Sequence, residues 1–148
     1  MLEIQQARIL MRQIVNEQGP NFRYVPAGNS HRIGCFYVPL HKVHGWADRG
    51  LLMRSMIGES GKPDDPRYLT ACLIGRVLET AGETRHMTPE TLGKNVRGLK
   101  GLWPDMMSWE AEEYLQSAQL TQDRGGTWGE ALEAAEKRAN SWPHLASL

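Results

Sequence analysis

The stretch "QLTQDRGGTWGEALEAA", from Gln119 to Ala135, constrains the fold more than any other part of the chain. Thr127 followed three positions later by Glu130 makes a capping box, in which each side chain satisfies a free backbone N–H of the other residue at the start of a helix. Trp128, Ala131, Leu132, Ala135 and Ala139 then recur at spacings of three, one, three and four, as one buried helical face requires. Upstream, Asp105 or Ser108 can cap a helix that runs through Trp109, Ala111, Tyr114, Leu115 and Ala118. That helix should stop near Arg124, Gly125 and Gly126, where glycine tolerates the backbone of a helix end. Two helices joined by so short a turn form an αα-hairpin.

The rest of the chain should pack around this hairpin. Leu2, Ile4, Ala7, Ile9, Leu10, Met11, Ile14 and Val15 alternate with polar residues at helical spacing until Gly19 and Pro20. Two short segments follow, "FRYVP" at Phe22 to Pro26 and "CFYVP" at Cys35 to Pro39, rich in aromatic and β-branched residues and separated by a turn-prone stretch. They predict a small antiparallel β-hairpin with its prolines at strand ends. Residues 41 to 64 are broken by glycines and a proline and predict an irregular loop, of a length at which loops commonly carry function. Asp65 and Pro66 then read as a helix start, with Leu69, Cys72, Leu73, Val77, Leu78 and Ala81 on one face, and Thr88 opens a further helix that ends at Trp103 and Pro104. The expected fold is one α+β domain over residues 1–148, mostly helical, with a small hairpin against four or five helices.

A chain of 148 residues can bury a single core of ordinary size. It has no apolar run long enough to span a bilayer, and its first residues lack the pattern of a secretion signal, so a cytoplasmic setting is expected. Its two cysteines are then expected to be thiols. Net charge is zero, yet residues 1 to 62 carry eight Lys or Arg against four Asp or Glu, whereas residues 106 to 148 carry three against seven. Such polarity can steer an acidic partner toward the N-terminal part.

The chemistry-bearing residues form no complete motif. Cys35, His41 and His44 are the weak candidates for a metal, but a tetrahedral zinc site needs three or four converging ligands. A separation of three along a strand would also turn His41 and His44 to opposite faces. There is no paired CxxC, no HExxH and no phosphate loop, so neither a metal nor another cofactor is expected. A cysteine nucleophile would need a base and an orienting group, and Cys72 falls on a face expected to be buried. An enzyme is therefore the less favoured expectation. Arg23, Arg32, Lys42, Arg49 and Arg54 accompany Tyr24, Phe36, Tyr37 and Trp46, a basic and aromatic mixture suited to stacking on nucleic acid. Trp46 and Trp142, outside the expected core faces, are candidates for a contact surface, tryptophan being enriched where binding energy concentrates.

"CLIGRVLETAG" from Cys72 to Gly82, with "AQLTQDRGGTWGEALEAA" from Ala118 to Ala135, resembles a pattern in small proteins of actinobacterial phages and prophages: a Cys-x-Ile-Gly helix followed by a Gln-Asp-x-Gly-x-x-Trp helical hairpin. The resemblance covers about half of the chain and leaves out residues 1 to 68. It implies a fold and no reaction. It further implies a phage-type accessory protein that works in the cytoplasm of a bacterial host and binds a host protein. The alternatives are nucleic-acid binding through the basic N-terminal region, with Arg23, Arg32, Lys42 and Arg49 as contacts, and a small-ligand or nucleotide site, enzymatic or not, under the 41 to 64 loop.

Overall fold

The computed structural model describes residues 1–24, 72–83 and 94–144. Five α-helices run through them: α1 (Ile4–Gln18), α2 (Leu73–Thr80), α3 (Val96–Leu102), α4 (Trp109–Asp123) and α5 (Trp128–Asn140), with a 3-10 turn at Pro104–Met106 between α3 and α4. The helices α4 and α5 pair most extensively, and α1 lies against α2, α4 and α5.

Every described helix but α1 starts where a side chain takes a free N–H. Ser108 accepts from Ala111 N at the start of α4, Asn95 accepts from Gly98 N at α3, and Cys72 accepts weakly from Gly75 N at α2. The capping box of α5 forms in full between Thr127 and Glu130, and these backbone and hydroxyl donors hold the Glu130 carboxyl below its usual range. Ile4, Ala7, Met11, Ile14 and Val15 make the buried stripe of α1. Ala111 and Ala118 of α4 and Ala131, Ala135 and Ala139 of α5 are all buried, and these small side chains let the two axes approach closely. Trp128 is fully enclosed, with the Phe22 ring at 4.6 Å edge-on and the Arg76 guanidinium at 5.7 Å.

The expected α+β class is corrected: the described residues are mostly helical, and they contain no strand or sheet beyond an isolated parallel bridge between Leu2 and Met107. Phe22 to Tyr24, the start of the expected β-hairpin, has another use. Trp128 N donates to the Phe22 carbonyl and Gly129 N to the Pro20 carbonyl, both at 2.8 Å, so the segment after α1 takes up two free N–H groups at the start of α5. A ladder partner for Phe22 would compete for the same carbonyl. Gly129 allows this approach, since a Cβ there would stand 2.8 Å from the Pro20 oxygen and 2.9 Å from the Pro20 Cβ. The remainder of that hairpin, the loop at 41 to 64 and the helix starts at Asp65 and Thr88 lie outside the described residues. Among the described residues no helix is long and apolar enough to cross a membrane.

Candidate functional site

The inner side of the α4–α5 hairpin holds polar groups that serve the fold. Glu136 of α5 accepts from Arg8 through Nε at 3.0 Å and Nη2 at 2.6 Å, from Arg12 Nε at 2.8 Å and from the Tyr114 hydroxyl at 3.0 Å. One carboxylate thus joins α1, α4 and α5, and the Arg8 side chain is only 6% exposed. Burial first, and then the Glu136 charge, push the Tyr114 hydroxyl far above its ordinary value, so it stays protonated and donates. On α4, Gln116, Gln119 and Gln122 make a buried polar stripe at spacings of three. Gln122 Oε1 accepts from Leu73 N at 2.8 Å and Gln119 Oε1 from Val96 N at 2.9 Å, so α4 caps the first residues of both α2 and α3. The Gln122 amide in turn donates to Asp123 at 3.1 Å, whose carboxyl desolvation pushes up to about 6.

The outer side differs. Ser117, Leu120, Thr121 and Arg124 of α4 face Ala134, Lys137, Arg138 and Ser141 of α5 across a groove of about 440 Å³. Each set follows the i, i+3, i+4, i+7 spacing of one helical stripe. All three basic residues of the last 43 line this groove, and no carboxylate does. Among the described residues Arg124 and Lys137 have no ion-pair partner, and Arg138 shares Glu113 with Arg97, at 3.1 and 2.8 Å respectively. Leu120, 45% exposed, gives the groove an apolar centre. The Ser117, Thr121 and Ser141 hydroxyls donate to carbonyls one turn back on their own helix and have no base beside them. The groove therefore offers cationic and apolar groups to a ligand.

Arg138 also connects the groove to an aromatic pair. Its guanidinium lies 5.2 Å above the Trp142 ring, and Trp142 packs edge-on to Trp109 at 5.3 Å. Trp142 is half-buried, whereas Trp109 is 53% exposed. Of the other residues singled out in the sequence, Arg23 donates to the Gly125 carbonyl and stands 4.0 Å from Glu130. It therefore sits at the turn of the hairpin, the opposite end from Trp142, about 20 Å along a 15-residue helix. Trp46, Arg32, Lys42, Arg49, Cys35, His41 and His44 lie outside the described residues. Cys72 is buried but disulfide-bonded, which corrects the expected thiol and removes it as a nucleophile. Arg124, Lys137, Leu120 and Trp109 are not among the binding candidates taken from the sequence, although their place on two helical stripes was open to reading there.

No protein-family model, no curated protein and no solved structure matches this chain.

Proposed function

We propose that the chain is a non-enzymatic binding protein that engages another protein through the outer face of the α4–α5 hairpin. The observation that carries this reading is the groove itself: three cations, only one of them in an ion pair, around a half-exposed leucine. Arginine and tryptophan are the residues that most often anchor protein contacts, and Arg138, Trp142 and Trp109 supply both at the groove's end. Of the cations put forward for nucleic-acid binding, Arg23 is held by the hairpin turn, and Arg32, Lys42 and Arg49 lie outside the described residues. A host protein as target, and a bacterial cytoplasm as setting, come with the resemblance to phage and prophage proteins.

The test is a photoreactive residue in place of Leu120, with a control in place of the exposed Gln13 on α1, in the full chain expressed in a bacterial host. The expected result is a protein adduct specific to position 120 that protease removes and nuclease does not. Equal labelling from both positions, or an adduct lost to nuclease, would reject the reading.

A further inference from the structure

We infer that the occupant of the groove is an acidic amphipathic helix of the partner, lying against α4 and α5 as a third helix; this rests on the protein-binding reading above. The groove is a shallow, open channel between two antiparallel helices, each presenting one i, i+3, i+4, i+7 stripe, along which a further helix can lie. The helices are antiparallel, with Arg138 beside Glu113 and Trp142 beside Trp109, so from Arg124 to the level of Ser141 the groove runs about four turns, about 20 Å, and the occupant presents as many. Leu120 and Ala134 form the apolar part of the lining and call for an aliphatic anchor. Arg124 lies toward the hairpin turn, and Lys137 and Arg138 lie toward the far end of α5. Arg138 is level with Glu113, 11 positions before Arg124, so carboxylates about three turns apart on the occupant, flanking the anchor, meet cations at both ends.

Charge outside the groove narrows the choice further. Glu110 and Glu130 continue the two stripes beyond the groove, seven positions before Ser117 and four before Ala134, and repel a polyanion that extends past it, which disfavours a nucleic-acid strand. A short helix with a single acidic and apolar stripe meets only the cations. A small inorganic anion would leave the Leu120 side uncovered.

The experiment measures binding of two fluorescent peptides of identical composition to the full-length protein by anisotropy. One carries Glu and Leu on a single helical stripe; the other spreads them around the helix. The expected result is binding of the striped peptide about tenfold tighter than its scramble, weakening with salt and weakened about tenfold again by Arg124→Glu with Lys137→Glu. A striped peptide with Lys in place of Glu should recover that loss on the double variant, which excludes a misfolded variant as the cause. Equal affinity for both peptides, an undiminished affinity in the double variant, or displacement of the striped peptide by an oligonucleotide at lower concentration would each overturn the inference. So would concentration-dependent self-association abolished by the double variant, since the occupant would then be a second copy. A position-120 crosslink to a protein with no preference for the striped peptide overturns the helix alone, whereas absence of any protein crosslink overturns the function proposed above.

Discussion

The two sides of the α4–α5 hairpin use similar residues for opposite ends. On the inner side every side chain of the Glu136 cluster has a partner, and two glutamines of α4 satisfy N–H groups of other helices. On the outer side, Arg124 and Lys137 line a groove with no carboxylate in it. An arginine on a helix thus says little about its role until its partners are known. Where a charge is matched within the fold, substitution should cost stability; where it is unmatched and exposed, substitution should cost binding and leave the fold almost untouched.

The largest effect is expected at Glu136. Replacing it with Ala leaves Arg8 buried without a counter-charge, and breaking a buried pair in this way costs about 3–5 kcal/mol. Chemical denaturation should show that loss, and a change below about 1 kcal/mol would mean that the inner and outer charges are equivalent after all. Next come the glutamines. Gln122→Leu strands the Leu73 N–H and Gln119→Leu strands the Val96 N–H, each at about 1–3 kcal/mol. Gln116→Leu should be neutral or stabilising, because Gln116 Oε1 is buried with no hydrogen-bond partner to lose. Equal losses at all three positions would show that volume, not hydrogen bonding, governs this stripe.

Tyr114→Phe removes one donor to Glu136 and should cost about 1.5 kcal/mol near neutral pH. The pH dependence is more telling. With its folded value raised, Tyr114 contributes stability that is complete below the unfolded value near 10 and is lost as pH rises beyond it, where only the unfolded chain releases the proton readily. Wild type should therefore lose stability between about pH 10 and 11 more steeply than the Phe variant. Parallel profiles would mean that the hydroxyl is not shielded as its neighbours require.

Much of the helical frame was legible because it depends on local signals. The capping box at Thr127, the stop at Gly125 and the buried Trp128 each follow from residues a few positions apart, and the structure has all three; the stripe of α1 holds as well, except that Ile9 is exposed and Arg8 is buried. The supposed strand at Phe22 misled because aromatic and β-branched residues mark any segment that packs a ring and lends its carbonyls, and here the recipient is the start of α5, more than 100 positions away. The glutamine caps were hidden for the same reason: nothing beside Gln122 in sequence announces Leu73. The groove occupies a middle ground. Its stripes are local, but that they face each other across one gap, with no acid between, depends on how α4 and α5 pair.

The smallest stability effect is expected in that groove, and it bears most directly on the comparison. Arg124→Glu with Lys137→Glu removes no ion pair among the described residues, and surface substitutions of this kind usually stay within about 0.5 kcal/mol. Two opposing contributions should nearly cancel. At the end of α4, a glutamate at 124 faces the helix's own negative pole, a small loss. Near the end of α5 a glutamate at 137 meets the same penalty, while relief of repulsion between Arg124, Lys137 and Arg138 acts in favour of the variant. If the cations were held for stability, the double variant would melt well below wild type and its loss of binding would be explained by unfolding. If it melts with wild type and no longer holds the striped peptide, the positive charge of the groove is retained for a ligand, and the outer face of the hairpin differs from the inner in kind and not merely in degree.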